Sequence, residues 1–295
     1  MEFIANLVES GVDPGRWARE REAEGWHGVA VADHVSDRGR TYPHVWVAAS
    51  AMAAATERVL VSTAFANGLL RSPVDAAHAA LALQQVAGGR FELGLGAGWS
   101  RAEIEASGLR FPPPGERVER YEEAIRIVRA LLHDGSCRFR GRYFDIDLGP
   151  LGPPVERPPA LVASLGGPRS IAAIAPLVDR VEAKLTAVVT RTGAVDYGAF
   201  ATIDEDHVRA LVDRIRSVAP EVPISTFVQF GCGSSERVDR MVRDLGDSLM
   251  GRFVGAAGPV AEAVRDLERF GFDRVLLTPY TADSLERIAP ELLAD

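Results

Sequence analysis

An aspartate and a histidine stand side by side after a short apolar run near the start of the chain, in the segment V-A-D-H at positions 31–34. Histidine is the side chain whose ordinary pKa lies closest to neutral pH, so it can donate or accept a proton during a reaction. His34 is the one histidine that directly follows a predicted strand. Four other histidines lie in a loop or in predicted helices: His44, His78, His133 and His207. Two interpretations of Asp33 and His34 are open at this point, namely proton-transfer chemistry or the capping of a surface loop.

A second unusual stretch is the glycine-rich segment Gly88–Trp99, which reads G-G-R-F-E-L-G-L-G-A-G-W. Three of its glycines alternate along the chain: Gly94, Gly96 and Gly98. Backbone can approach a ligand closely where Cβ atoms are missing, so this turn predicts a binding surface. The spacing resembles the dinucleotide motif G-x-G-x-x-G. That motif would need a glycine where Trp99 stands, and it usually follows the first strand of a domain rather than the fourth.

The composition is that of an ordinary globular protein. The 295 residues carry a net charge of −8, with 47% hydrophobic and 25% charged residues, which fits one large α/β domain over residues 1–295. The negative charge argues against nucleic-acid binding, and no apolar stretch reaches the length of a membrane span. Met1–Glu9 lacks the basic start of a signal peptide, and Cys137 and Cys232 have no metal-ligand neighbours. We therefore expect a cytoplasmic protein with no metal site, in which both cysteines serve packing.

Strand and helix patterns alternate along the whole chain. Eight apolar runs are predicted to be strands: Phe3–Val8, Val29–Ala32, Val59–Phe65, Phe91–Leu95, Leu161–Ser164, Val178–Leu185, Ile224–Phe230 and Phe272–Thr278. Amphipathic or alanine-rich helices lie between them, and Arg138–Leu148 alternates well enough to form a small hairpin insertion. This alternation in one domain predicts a (β/α)8 TIM barrel, with a doubly wound open sheet as the alternative.

A parallel barrel places its site at the carboxyl ends of the strands. This rule predicts that four segments from separate parts of the chain lie together at the site: Asp33–His34, Ala64–Asn67, Gly94–Trp99 and Ser164–Gly167. No nucleophile elbow, zinc motif, phosphate loop or carboxylate pair occurs at a specific spacing. Single carboxylates such as Glu103 and Glu119 are interpreted as solvated helix faces. Because this rim holds one histidine and little other chemical machinery, we expect a bound cofactor to carry the reaction.

Longer segments of the chain are similar to a known family. The segment from Arg71 to Trp99 resembles the signature of the luciferase-like monooxygenases, which are (β/α)8 enzymes that use a flavin or a deazaflavin. The segments Pro114–Val128 and Phe139–Phe144 resemble the same family, as does V-A-D-H after the second strand. The resemblance covers residues 1 to about 180. It is closest to the branch that uses coenzyme F420, a deazaflavin hydride carrier.

The resemblance implies roles for residues around the cofactor ring. His34 would lie beside the reactive face of the ring as a proton donor or acceptor, and Asp33 would support that turn. The family has a bulged strand with a non-prolyl cis peptide behind the ring, which would fall at Ala64-Phe65, next to Ala66. The resemblance therefore assigns the ends of the second and third strands to the reaction centre.

The resemblance also implies two sets of residues that bind the rest of the cofactor. The cofactor side chain would lie against Gly96, Ala97, Gly98 and Trp99. The phosphate would bind at the turn that contains Ser164, Gly166, Gly167 and Arg169. This turn reads V-A-S-L-G-G-P-R, with fewer glycines than the family often shows, and Arg180 and Glu182 interrupt the apolar run of strand six. These departures concern the anion site and the substrate pocket.

Three functions are compatible with these features. The first is an F420-dependent oxidoreductase that moves a hydride between C5 of the deazaflavin and a small organic substrate. The second is an FMN-dependent monooxygenase supplied with reduced flavin by a partner reductase. The third is a flavin-binding barrel without catalysis, or a barrel whose cofactor site has decayed. Four arginines are candidates for binding the anionic tail of F420: Arg71, Arg101, Arg169 and Arg191. The resemblance further implies a homodimer, for which the helix Val45–Thr56 and the helix from Pro73 are candidate surfaces.

Overall fold

The computed structural model describes residues 1–37, 39–153 and 155–294, except the side chain of Asp37. Its barrel strands are β1 Glu2–Leu7, β2 Gly28–Val31, β3 Leu60–Thr63, β4 Phe91–Gly96, β5 Ala160–Leu165, β6 Arg180–Ala183, β7 Ile224–Cys232 and β8 Arg274–Pro279. Each strand pairs in parallel with the next, and β8 pairs in parallel with β1. The predicted TIM barrel is confirmed. The open-sheet alternative is wrong, because the strand order never reverses as a doubly wound sheet requires.

The helices in the described part of the chain are α1 Pro14–Glu24, α2 Val45–Ala55, α3 Pro73–Val86, α4 Arg101–Ala106, α5 Pro114–His133, α6 Pro168–Ile174, α7 Glu205–Val218, α8 Glu236–Leu245, α9 Ala257–Arg265 and α10 Ser284–Leu292. Local chemistry sets their ends. Asp13 caps α1 by accepting a hydrogen bond from the Arg16 N–H, and Gly25 ends this helix at a φ of 96°. Ser72 caps α3 ahead of Pro73, whose missing N–H costs no hydrogen bond at a helix start.

Short antiparallel strand pairs lie outside the barrel sheet. The antiparallel strands Cys137–Arg140 and Asp145–Leu148 form the predicted hairpin insertion after α5. A second antiparallel pair, Ser36–Asp37 with Arg40–Thr41, follows β2 and has no signal in the sequence pattern. The sixth strand is shorter than predicted at both ends, because 3-10 helices lie on both sides of it, at Ala175–Leu177 and Leu185–Ala187.

Side chains of the barrel strands alternate between two environments. Outward-facing residues pack against the helices in one large apolar core, which includes Val29, Val61, Leu93 and Val181. The inner face holds a much smaller apolar cluster: Ile4, Ala30, Ala64 and Leu276. At the amino-terminal end, Arg274 forms ion pairs with Glu92 at 2.5 Å and with Glu2 at 2.7 Å. Paired charges therefore line the amino-terminal end of the barrel.

Both cysteines, Cys137 and Cys232, are buried and not disulfide-bonded. Burial raises the pKa of the Cys232 thiol to about 12, so this thiol packs as a small neutral group. Over the described ranges, no helix combines the length and apolar composition that crossing a membrane would need.

Candidate active site

His34 lies just beyond the carboxyl end of β2, and its ring is largely buried. The ring Nδ1 lies 2.9 Å from Oε2 of Glu103, on α4. The other oxygen of that carboxylate, Oε1, accepts a hydrogen bond of 2.6 Å from the Val35 N–H. With both oxygens of Glu103 acting as acceptors, Nδ1 of His34 carries the ring proton and Nε2 remains as the acceptor. The pair therefore selects one tautomer of the histidine.

Glu103 is the residue of this site whose observed environment differs most from the prediction. The prediction of a solvated helix face is wrong for Glu103, because its side chain is only 1% exposed. The segment S-R-A-E at 100–103 has the spacing of a capping box, in which the acidic residue reaches back to the first residue's N–H. Here Ser100 makes no side-chain cap, and Glu103 bonds the N–H of Val35 instead. This spacing predicts that the Glu103 carboxylate accepts a hydrogen bond from a backbone N–H, but it does not predict that the N–H belongs to Val35.

Asp33 is buried beside His34 and joins the end of β2 to the loop after β3. Its Oδ1 accepts a hydrogen bond from Nη2 of Arg71 at 2.8 Å, and its Oδ2 accepts one from Nε at 3.1 Å. Oδ2 also accepts a hydrogen bond of 2.9 Å from the Asn67 N–H. The hydrogen bonds to Asp33 raise the pKa of the Arg71 guanidinium. Asp33 thus holds in place the two segments that flank the mouth of the barrel.

A bulge follows β3, at the position that the family resemblance implied. Ala64 and Phe65 are joined by a cis peptide bond. The chain then pairs again with β4 through the short strand Ala66–Asn67. Ala64 packs with the inner barrel residues, and Phe65 is half-buried against the same cluster. The predicted residues Ala64, Phe65 and Ala66 therefore lie together at the carboxyl end of the barrel.

The alternating glycines have a packing role that the sequence analysis did not identify. A Cβ at position 94 would lie 2.1 Å from the Thr63 carbonyl oxygen and 2.7 Å from Cδ1 of Phe65, so Gly94 makes room for the bulge. Gly98 adopts a φ of 75°, and a Cβ there would lie 2.6 Å from Oδ1 of Asn67. Protein atoms, rather than a ligand, thus explain the glycines at positions 94 and 98.

Aromatic rings flank His34. Its ring centroid lies 6.0 Å from that of Trp99 in an edge-to-face arrangement, and 5.0 Å from that of Tyr42. The predicted segment from Gly96 to Trp99 is half-buried along this side of the mouth. The structure therefore brings His34 and the glycine turn together, and it adds Tyr42, which no sequence signal indicated.

The turn after β5 differs from a simple anion-binding turn. A Cβ on Gly166 would lie 2.3 Å from Cβ of Ala187 and 2.8 Å from the Lys184 carbonyl oxygen, so this glycine allows the loop after β6 to pack closely. Gly167 is the residue that precedes α6. Ser164 lies on β5 beside Glu182, its register partner on β6.

The predicted rim arginines are mostly engaged by carboxylates. Nη2 of Arg169 lies 2.6 Å from Oε1 of Glu119, which is 32% exposed and is therefore only partly the solvated residue that was predicted. Arg71 is held by Asp33, and Arg101 lies 3.4 Å from Glu105. Arg191 alone of these four has no carboxylate partner within the described residues. Arg169 is thus turned toward α5.

Two charged residues, Glu182 on β6 and Lys184 directly after it, have shifted pKa values. Only Glu182 stood out in the sequence, as an interruption of the apolar run of strand six. Glu182 is 1% exposed, and neither of its carboxylate oxygens has a hydrogen-bond partner among the described residues. Burial raises its pKa to about 7, although the nearby Ser164 hydroxyl and Lys184 ammonium oppose the shift. Lys184, the only lysine of the chain, stands two residues later, directly after the end of β6. Burial lowers the pKa of Lys184.

Comparison with known proteins places this barrel among related enzymes. A sequence profile of the luciferase-like monooxygenases matches residues 13–222. The chain is 30% identical over 164 residues to an F420-dependent glucose-6-phosphate dehydrogenase of Kineococcus radiotolerans, and 31% identical over 159 residues to an FMNH2-dependent dimethylsulfone monooxygenase of Pseudomonas fluorescens. Each match covers 52% of this chain, but only 48% and 43% of the respective relatives, so the chain spans about half their length.

The fold is shared more widely than the sequence. A solved monooxygenase structure from Streptomyces bottropensis has a TM-score of 0.75 to this chain, covering 99% of both chains at 18% identity. At that identity the similarity shows the fold alone. Because the family profile spans well over half of the chain, the protein belongs to the luciferase-like monooxygenase family.

Proposed function

We propose that this protein is an oxidoreductase that transfers a hydride between a bound deazaflavin of the F420 type and a small organic substrate. The observation that carries the proposal is the hydrogen bond between His34 and Glu103 at the mouth of the barrel. It holds a proton-transfer group in one tautomer at the end of the barrel where sites of this fold lie. The F420-dependent relatives support the deazaflavin, and the FMNH2-dependent relative supports a second candidate, an FMN-dependent monooxygenase.

The residues at the mouth fit a flat heteroaromatic ring. Ala64 and Phe65 supply an apolar surface at the end of β3, and Gly96 with Ala97 supplies backbone without long side chains. The His34 ring lies beside Trp99, at the end of the same glycine-containing segment. When bound, the deazaflavin would supply hydride transfer, and the protein has to orient it, exclude water and move the accompanying proton.

His34 is the residue to which we assign proton transfer. Because Nδ1 donates to Glu103, Nε2 can accept the proton of a substrate hydroxyl during oxidation and can return it in the reverse direction. The buried carboxylate of Glu103 stabilises the charged ring that forms. Asp33 acts indirectly, because its hydrogen bonds to the Arg71 side chain and the Asn67 N–H tie the turn that carries His34 to the loop after β3.

The cofactor assignment is tested by fluorescence titration of the purified protein with F420 and with FMN. We expect F420 to bind at least about tenfold more tightly, which corresponds to about 1.4 kcal/mol. A preference for FMN would contradict the deazaflavin assignment and favour the monooxygenase. A folded protein that binds neither compound would support a barrel whose cofactor site has decayed.

The role of His34 is tested by the variant His34→Ala in F420-loaded protein, with a substrate panel that begins with glucose 6-phosphate and simple alcohols. Turnover should fall by about 10²–10⁴-fold, the usual contribution of a general acid or base, while F420 affinity stays nearly unchanged. His78→Ala is the matched control, because His78 is exposed on α3. Turnover in His34→Ala equal to that of the control would rule out the assigned role.

A further inference from the structure

The helix that carries Glu103, α4, is held at its start by a segment from the other side of the barrel. This segment, residues 191–193, lies in the loop after β6. The Arg101 N–H, at the first position of α4, donates a hydrogen bond of 2.9 Å to the Gly193 carbonyl oxygen. Ser100, the residue before the helix, provides no side-chain cap in the described chain. A distant carbonyl group therefore satisfies an N–H that α4 cannot satisfy within itself.

The Phe111 ring lies at the centre of this contact. It is 6% exposed, and the guanidinium groups of Arg101 and Arg117 lie 4.7 Å and 4.3 Å from its centroid. Both distances are within the range of a cation–π interaction. The Arg117 guanidinium also donates a hydrogen bond of 2.9 Å to the Arg191 carbonyl oxygen. One ring and one guanidinium thus tie segment 191–193 to the loop between α4 and α5.

Gly193 allows the segment to approach this closely. Its φ is 93°, which side chains other than glycine rarely adopt. A Cβ at this position would lie 2.7 Å from Cε1 of Phe111 and 2.9 Å from Cβ of Arg101. A side chain at position 193 would therefore push the segment away from the ring and from the start of α4.

The position of Glu103 depends on support of this kind. The helix α4 comprises only six residues, Arg101–Ala106, and a helix this short is not stable in water without packing. From it, Glu103 reaches Nδ1 of His34 at 2.9 Å and the Val35 N–H at 2.6 Å. A displacement of α4 by about 1 Å away from His34 would take the first distance beyond the range of a hydrogen bond.

We propose that Phe111, Arg117 and Gly193 are positioning residues, which dock segment 191–193 on α4 and so hold Glu103 against His34 in the orientation that selects its tautomer. The strand β6 lies four strands from β2 in the closed barrel, so the contact joins opposite sides of the mouth. The inference rests on the proposed function for the role of His34 in proton transfer. The effect of the contact on the His34 ring requires no cofactor.

The test is the variant Gly193→Ala, studied by ¹⁵N NMR on protein labelled at histidine, without cofactor. At about pH 8.5, where a histidine of ordinary pKa is neutral, the ring nitrogens of wild-type His34 should give two separate resonances, one for the protonated Nδ1 and one for the acceptor Nε2. Their loss in His34→Gln identifies them. In Gly193→Ala the two resonances should move toward each other, because a ring that has lost its carboxylate partner exchanges between tautomers.

Gly25→Ala is the matched control. Gly25 has a φ of 96°, and beyond its chain neighbours no heavy atom of the described residues lies within 4 Å of an added Cβ. This variant therefore introduces the same backbone strain without the contact, and it should retain the wild-type resonances. Phe111→Leu removes the ring but keeps an apolar side chain, and it should shift the His34 resonances in the same direction as Gly193→Ala. It decides alone if Gly193→Ala does not fold. Wild-type resonances in both variants, or an equal shift in Gly25→Ala, would overturn the proposal.

Kinetics on F420-loaded protein test the consequence for catalysis. Gly193→Ala should lower kcat by about tenfold and leave KM within about twofold, because the geometry of the proton-transfer pair changes while no assigned substrate contact is lost. An unchanged kcat despite shifted resonances would overturn the positioning role. A wild type without turnover would contradict the proposed function instead, and the NMR comparison would still decide whether segment 191–193 holds Glu103 against His34.

Discussion

The two opposite walls of the barrel mouth differ in whether their buried charged side chains have partners. On the wall formed by β2, β3 and β4, each buried charge has a partner, since Glu103 bonds His34 and Asp33 bonds Arg71. On the β6 wall, Glu182 has two buried carboxylate oxygens without a hydrogen-bond partner among the described residues. Each buried charge of the first wall is already paired, whereas Glu182 on the second wall is suited to take up a proton.

The difference has a physical cause. A buried ion is costly unless it is paired and hydrogen-bonded, and a group without such a partner avoids the cost by shifting its pKa toward the neutral form. Burial accordingly raises the pKa of Glu182 to about 7 and lowers that of Lys184. Paired charges fix the positions of side chains, and unpaired ones make the protein sensitive to its surroundings. The paired charges of the first wall therefore fix side chains in place, whereas Glu182 on the β6 wall can take up a proton.

The largest effect is expected from breaking a pair on the first wall. Asp33→Ala leaves Arg71 largely buried without its carboxylate, so the free energy of unfolding should fall by about 3–4 kcal/mol. Urea unfolding measures this change. Removing both partners in Asp33→Ala/Arg71→Leu should cost less than the sum of the two single substitutions, because no unpaired charge remains. Additive losses would show that the pair is not coupled.

On the β6 wall, we expect removal of a buried charge to raise the free energy of unfolding rather than to lower it. Because the pKa of Glu182 is raised from 4.5 to about 7, the folded protein binds the extra proton, and that stability is lost as the pH rises through 7. Glu182→Gln removes the titration, so the variant should be more stable than the wild type by about 3 kcal/mol at pH 8 and nearly equal to it at pH 5. Urea unfolding at both pH values tests this.

A difference between Glu182→Gln and the wild type that does not depend on pH would mean that Glu182 does not titrate in this range. The charged groups around Glu182 that could shift the midpoint are Glu92, Arg180, Lys184 and Arg274. Glu92→Gln is a suitable control, because Glu92 lines the same cavity but is paired with Arg274.

A smaller effect, of about 10²-fold in kcat, is expected for Glu103→Gln. The amide retains the shape of the side chain, but it can donate to Nδ1 of His34 and so favour the wrong tautomer. We expect kcat to fall while KM for the substrate and the affinity for F420 stay within about twofold, because no binding interaction is lost. Glu105→Gln, on the same helix and 53% exposed, is the control. An equal loss in both variants would point to a general effect on α4.

Particular residues show how far sequence reasoning reaches. His34 and the bulge at Ala64-Phe65 are predictable, because the end of a strand and a family motif are local in the chain. Glu103 is missed because its partner lies 69 residues earlier, and only closure of the barrel brings the two together. Arg169 is assigned to the anion turn on its position in sequence, but its long side chain reaches Glu119, 50 residues away.

The alternation of strands and helices, the helix caps and the carboxyl-end placement of His34 are determined by the sequence alone, because each depends on residues a few positions apart. The tertiary structure decides which buried charges meet. It pairs Glu103 with His34 and Asp33 with Arg71, makes Gly94 necessary beside Phe65, and leaves Glu182 without a hydrogen-bond partner in the described chain. The physical reason is that the free energy of a buried charge depends on neighbours supplied by distant segments, and these are set only when the barrel closes.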